Sequence, residues 1–290
     1  MSLQNADPLP SSLFLFEGRS LLFSRTLIMG ILNATEDSFY KRSRLGVDHV
    51  LDRAQQMVRE GVAIFDIGAE STRPNAQTVD AAQEIDRLIP AIEILRKNFP
   101  KIPISADTRK SSVAKEAIRA GADIINDISG FCFDPDMAAV IAESKAAAVL
   151  MHSQGTPEIM QDNPHYENIL QEIYDFFQEK IRFASECGLS KDRIILDPGI
   201  GFGKNTAHNL TILRNLTFFR SLKCPLLIGA SRKSMIGEIL QLPDPKDRLD
   251  GTLAITSICS WQGVEIVRVH DVAANVHAVT VCDAIKWGKL

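Results

Sequence analysis

Short apolar runs recur along this chain, each ending in a polar residue, then glycine or proline, then a stretch with helical spacing. Thr26–Leu32 ends at Asn33, Val62–Ile67 at Gly68, Ile102–Ala106 at Asp107 and Asp123–Ile125 at Asn126. Ala148–Met151 is followed by His152, Ile194–Leu196 by Asp197, and Pro225–Ile228 by Gly229 through Ser234. Glu265–Val269 carries Arg268 and leads into His270. These runs are β-branched and almost continuously apolar, as strands covered on both faces of a parallel sheet should be. Between them lie segments of helical period: Asp48–Glu60, about 76–98, Lys110–Ala120, Met137–Ala147, Asn163–Cys187, Thr206–Leu222, 234–240 with 245–262, and Asp271–Ile285.

Eight strand–helix units with no Pro/Gly/Ser-rich linker predict an α/β fold, a single (β/α)8 TIM barrel, over an open doubly wound sheet. The missing GxGxxG after the first strand counts against a dinucleotide-binding version of the latter. Ahead of the barrel, Leu13–Phe16 and Leu21–Ser24 flank Glu17-Gly18-Arg19 as a hairpin that plugs or covers one end. We read residues 1–11 as a flexible N-terminus and 12–290 as one domain.

Length and composition agree. The 290 residues suit a barrel of about 250 residues. A net charge of −4 gives no basic footprint for nucleic acid. The five scattered cysteines contain no CxxC and read as reduced thiols of a cytoplasmic protein. The polar start MSLQNADPLP has no signal-peptide pattern, and no apolar run approaches membrane-span length.

In a barrel the strand C-termini converge on one face. The residues gathered there include Asn33, Asp66, Asp107, Asn126, His152, Asp197, Lys233, Arg268 and His270. They lack an HxH or HExxH pattern, which argues against a metallohydrolase. Asp107, Asn126 and Asp197 suit a flat heterocycle with an amidine-like edge, because a carboxylate accepts two parallel N–H bonds. Lys233 adds a donor for the same ligand. Arg73, Arg268 and His270, with Asn33 and Thr72, form a cationic set suited to a phosphate or diphosphate. Ser231-Arg232-Lys233-Ser234 opens a helix whose N–H groups suit a second anion, such as a carboxylate. For Asp66 and Asp127 a turn or capping role is favoured over ligand contact. His152 reads as a packed residue, and His49, His165, His208 and His277 receive no function.

Eight segments carry a family resemblance: MGILNATEDSF (29–39), DIGAESTRP (66–74), ISADTRK (104–110), AGADIINDISG (120–130), VLMHSQGTP (149–157), ILDPGIGFGK (195–204), GASRKS (229–234) and VRVHDV (267–272). In order and spacing the chain resembles the bacterial dihydropteroate synthases. The resemblance implies a dimeric TIM barrel that joins 4-aminobenzoate to a dihydropterin methyl diphosphate, with Mg²⁺, in folate synthesis, and that is a sulfonamide target.

Carried over, Asp107, Asn126, Met151, Asp197, Phe202, Lys233 and Arg268 would surround the pterin. Asn33, Thr72, Arg73, Arg268 and His270 would hold the diphosphate. Phe39, Pro74, Ser231 and Ser234 would meet the aminobenzoate, with Asn33 and Asp37 near Mg²⁺. The catalytic set implied is Arg73, Asp107, Lys233, Arg268 and His270, acting on an SN1-like displacement. The chain departs from the family pattern at Ala34, Glu36, Tyr40–Arg44 and Asn75. A pterin-binding methyltransferase domain is one alternative, but it has no need of the STRP, SRKS and RVH segments. A pterin-binding barrel without turnover is the other.

Overall fold

The computed structural model describes residues 12–14, 19–34, 44–70, 79–155 and 164–288, with backbone only at 12, 14 and 44–48. A hairpin comes first, β1 (Ser12–Phe14) against β2 (Ser20–Leu22), with Leu13 opposite Leu21. Eight parallel strands follow: β3 (Leu27–Asn33), β4 (Ile64–Gly68), β5 (Ile104–Asp107), β6 (Ile124–Asp127), β7 (Ala147–Met151), β8 (Ile194–Asp197), β9 (Leu227–Ile228) and β10 (Ile266–Val269). Their order is β8-β7-β6-β5-β4-β3-β10-β9. The ring closes between its two ends through a single parallel bridge, Leu196 with Leu226, where the Leu196 amide donates to Pro225 O at 2.9 Å. This is the expected TIM barrel.

The helices are α1 (Arg44–Glu60), α2 (Ala81–Asn98), α3 (Ser111–Ala120), α4 (Met137–Glu143), α5 (Ile169–Glu186), α6 (Thr206–Arg214), α7 (Ser234–Leu240), α8 (Leu249–Trp261) and α9 (Val272–Trp287). Several are shorter than their apolar spacing predicts, and local hydrogen bonding explains why. Asn168, accepting from the Gln171 amide, caps α5 so that it starts at Ile169, six residues later than the predicted Asn163. The stretch predicted as one helix over 206–222 breaks at Asn215, whose side-chain Nδ2 donates back to Thr211 O. It continues as a 3-10 helix over Leu216–Leu222. The predicted 245–262 helix likewise splits into a 3-10 turn, Pro245–Asp247, and α8.

Strand parity divides the core. Ile28, Phe65, Ile67, Ala106, Ile125, Leu150, Leu196 and Val267 pack outward against the helices. Met29, Ile64, Ile124, Val149, Ile195, Leu227 and Ile266 fill the barrel axis, where Leu13 and Leu21 of the hairpin join them. The hairpin therefore plugs the end away from the strand tips. Arg19 fastens it by a 2.7 Å hydrogen bond to Asp123, a buried carboxylate that also accepts from the Ile104 amide and pairs with Arg96. No helix among the described residues is long and apolar enough to cross a membrane.

Candidate active site

Because side chains alternate along a strand, the residues two positions beyond the axial layer point into the same interior. Ile64 is followed by Asp66, Ile124 by Asn126, Val149 by Met151, Ile195 by Asp197 and Ile266 by Arg268. On β5 the outward pair Ile104 and Ala106 leaves Ser105 and Asp107 facing in. The apolar filling thus gives way, one layer up, to carboxylates, an amide and a guanidinium. Adjacent strands bring Asp107 level with Asn126 and with Gly68, Gly68 level with Asn33, and Met151 level with Asp197.

Arg268 organises one side of this layer. Its Nε donates to Asp66 Oδ2 at 2.6 Å and its Nη2 to Asp107 Oδ2 at 2.8 Å. Asp66 is fully buried and also accepts from Ser105 Oγ at 2.6 Å and from Asn126 Nδ2 at 3.4 Å. Burial opposes the guanidinium charge, but Asp66 and Asp107 outweigh it and push the Arg268 pKa up. Burial, partly offset by Arg268 and reinforced by the charge of Asp66, pushes Asp107 up to about 7. Two carboxylates therefore share one permanent cation, and Asp107 is the one poised to exchange a proton near neutrality.

Asp197 and Lys233 form the other side. The Gly199 amide donates to Asp197 Oδ1 at 2.7 Å. Burial raises the Asp197 pKa against the opposing pull of Lys233, that N–H bond and Arg268. Lys233 donates to Ile200 O and lies 4.3 Å from the centroid of Phe202. Burial, partly offset by Asp197, pulls its pKa down to about 7. Gly229 leaves room here: a Cβ would sit 3.8 Å from Arg268 Cβ and 3.9 Å from Asp197 Oδ2.

The loop after β9 is held in a strained form. Arg232 adopts a left-handed φ of 58°. Its side chain makes a bidentate pair with Asp271, at 2.9 and 2.5 Å, and its amide donates to Thr252 Oγ1 at 3.0 Å. Flanking it, Ser231 is buried with Oγ 3.0 Å from His270 Nδ1, and Ser234 is exposed at the start of α7.

Asp107, Asn126, Met151, Asp197, Phe202, Lys233 and Arg268 thus come together around the barrel mouth, while Ser231 and His270 meet at its rim. Asn33 ends β3 exposed. Asp37, Phe39, Thr72, Arg73 and Pro74 lie outside the described residues, as do Glu36, Tyr40 and Asn75. Asp127 has the turn role expected of it, accepting from the Ser129 and Phe131 amides on the outward face.

Asp66 is not a cap; it holds Arg268, and its inward parity was the signal for this. Sequence reasoning passed over three further residues. Ser105 supports Asp66. Glu70 is tied to Arg109 at 3.2 Å and Lys110 at 2.6 Å where the chain enters 71–78. Lys204 is buried beside His152.

The family model described as "Pterin binding enzyme" matches residues 29–270. A Synechocystis protein named dihydropteroate synthase is 44% identical over 279 residues, covering 96% of this chain and 95% of its own. The Yersinia pestis dihydropteroate synthase, solved as a sulfonamide drug complex, superposes with a TM-score of 0.89 at 40% identity, covering 95% of this chain and 99% of that one. The Xanthomonas albilineans enzyme with 4-aminobenzoic acid gives 0.88 at 37% identity, over 96% and 98%.

Proposed function

The chain belongs to the pterin-binding enzymes and, within them, to the dihydropteroate synthases, and from that premise we propose how its residues run the reaction. The substrates are 4-aminobenzoate and (7,8-dihydropterin-6-yl)methyl diphosphate. The bond between the methylene carbon and the diphosphate oxygen breaks, and its electron pair leaves with pyrophosphate. The amine nitrogen then bonds to the methylene and loses a proton.

The observation that carries the reading is the polar layer directly above the apolar axis: three carboxylates, an amide and a guanidinium around one space. Asp197 and Asn126 bind the N–H edge of the pterin, and Lys233 and Phe202 border its ring. Asp107, beside the ring system, favours positive charge developing at the exocyclic carbon. Arg268, released in part from its carboxylates, borders pterin and diphosphate, and His270, oriented by Ser231, completes the clamp with Asn33, Thr72 and Arg73. Phe39, Pro74, Ser231 and Ser234 receive the aminobenzoate, where a sulfonamide is expected to compete. No covalent nucleophile is required; positioning and preorganised charge supply the catalysis.

Mg²⁺ fits this donor set. The Asn33 amide oxygen is a hard ligand at an exposed strand tip, and Mg²⁺ takes one or two protein oxygens together with substrate phosphates. Asn33 and Asp37 would hold it, and it would neutralise charge on the departing diphosphate. The protein is expected to be a homodimer. Ile258 and Trp261 on α8, and Val281 and Ile285 on α9, form an exposed apolar face of two helices packed together. Sedimentation of a Trp261→Glu, Ile285→Asp double variant as a dimer would remove that assignment. The five free thiols support a reducing, cytoplasmic setting.

The deciding experiment supplies both substrates with Mg²⁺ and follows pyrophosphate. Release is expected from the wild type. Asp197→Ala should weaken pterin affinity by about a hundredfold, the scale of a lost charged hydrogen-bond pair. Absence of release at saturating substrates would sink the assignment. A second test uses pH. With Asp107 titrating at about 7, pterin affinity should fall as pH drops from 8 to 6, approaching about tenfold per unit below the midpoint. Asp107→Asn should flatten that slope; an unchanged slope would show that another group controls it.

A further inference from the structure

Lys204 is among the buried ionisable groups that take no part in the chemistry. Lys204 is 2% exposed, at the end of the glycine-rich loop that follows Asp197. Its Nζ lies 2.9 Å from Phe202 O, 3.2 Å from His152 O and 2.9 Å from His152 Nδ1. A lysine ammonium has three N–H donors, and three acceptors are placed to receive them. His152 is suited to accept, because burial together with the charge of Lys204 lowers its pKa to about 2, leaving a neutral ring. That ring is packed edge-on against Phe176, 5.0 Å between centroids.

We infer that Lys204 is a positioning residue for the pterin pocket, one whose buried side chain stitches the loop after β8 to the end of β7 and so holds the backbone on which Asp197 stands.

Three observations support this besides the hydrogen bonds. The two segments touch backbone to backbone: a Cβ at Gly199 would lie 2.0 Å from His152 O, and one at Gly203 2.4 Å from Gln154 O. The loop therefore lies flat on the chain that carries Met151, and Lys204 is the side chain that spans both. Tyr166 Oη donates to Gly203 O at 2.8 Å and the Gly201 amide to Asn209 Oδ1 at 2.8 Å, while Lys233 reaches Ile200 O from the pocket side. Lys204 is the charged group that joins this loop to the end of β7. Finally, burial raises the Asp197 pKa and pulls that of Lys204 well below its ordinary value, and each charge offsets part of the other's shift, Lys204 acting on Asp197 after Lys233, the Gly199 N–H bond and Arg268. The other charged groups facing Asp197 are Lys233 and Arg268, both at the ligand side of the pocket. Lys204 is instead enclosed, with its Nζ on the carbonyls of His152 and Phe202. Lys233, a like charge, works against the Lys204 ammonium, and burial together with the charge of Lys204 lowers the His208 pKa.

This inference rests on the pterin reading of the pocket, and its test separates the two. Carboxyl ¹³C NMR of aspartate-labelled protein, with the Asp197 signal assigned by its loss in Asp197→Asn, reports the Asp197 midpoint without any substrate. In Lys204→Met that midpoint should move to higher pH. In Tyr166→Phe, which removes a neutral stitch from the same loop, it should stay at the wild-type value. The Kd for a pterin should rise at least about tenfold in Lys204→Met, while the KM for 4-aminobenzoate stays within about twofold. An unmoved Asp197 midpoint would overturn the inference, as would equal loss for both substrates in step with Tm. If Lys204→Met does not fold, Lys204→Gln keeps two N–H donors without the charge, and the same midpoint shift is expected of it. A wild type that binds no pterin would instead strike the reading of the pocket and leave the Asp197 midpoint comparison to decide on Lys204.

Discussion

Arg268→Ala is expected to lower turnover by at least about a thousandfold and to destabilise the fold by roughly 3–5 kcal/mol at pH 8. The second effect does not follow from the sequence, where Arg268 reads as a ligand-facing clamp whose loss would spare stability. In the structure it is the counter-ion of Asp66, which is fully buried, and of Asp107. Removing it leaves two carboxylates facing each other in the barrel interior.

The folded-state pKa of Asp107, already pushed up to about 7, would then rise further above the unfolded value. A group raised in this way binds more protons folded than unfolded, so stability falls as pH rises through the interval. The variant should therefore be markedly less destabilised at pH 5.5, where Asp107 takes up a proton, than at pH 8. Urea denaturation at the two pH values, with steady-state kinetics, checks both statements. A stability loss independent of pH would mean that the carboxylates find other partners. Retained turnover would remove Arg268 from the site.

Gly199→Ala is the second large effect. Gly199 has a φ of 69°, and an added Cβ would lie 2.0 Å from His152 O and 3.3 Å from Met151 Cγ. The left-handed backbone alone costs about 1–2 kcal/mol for a residue with a Cβ. The carbonyl cannot step aside without cost, because Lys204 Nζ is bonded to it and the His152 amide is bonded to Asp197 O at 2.9 Å. A total loss of about 3 kcal/mol or more is expected, with the Asp197 loop displaced and pterin affinity lost. Gly229→Ala is the instructive contrast. It faces open space bounded by Arg268 and Asp197, so the methyl group should enter the ligand volume, reducing affinity while leaving Tm nearly unchanged. Thermal melts and pterin titrations of the two variants should separate in this way. Similar melts would show that the loop yields more readily than its bonds indicate.

The fold was legible because its signal is repeated: eight apolar runs with polar tips leave few architectures. The pocket was legible for the same reason, since Asp107, Asn126 and Asp197 each stand at the end of such a run. What the sequence concealed was pairing. Asp66 and Asp127 look alike, each a carboxylate near a strand end, yet parity turns Asp66 inward onto Arg268 and Asp127 outward onto the amides of its own turn. Parity can be read only after the strand bounds are known to within one residue, and boundaries are the least reliable part of a sequence reading. Helix breaks such as Asn215 were hidden because the apolar spacing runs on through them. Lys204 drew no role of its own from the sequence, where it only closes the segment 195–204. Its burial follows from the close approach of two loops, which is a long-range fact.

The barrel closes through one bridge, Leu196 to Leu226, beside a β9 only two residues long. Asp197 and Lys233 stand on opposite banks of that joint. A ligand held by both acts as a strut across the weakest hoop of the ring, so affinity and mechanical closure draw on the same free energy. The substrate that the pocket selects is then also the part that makes the cylinder whole, and amide protons near Leu196 and Leu226 should record its arrival as slower exchange.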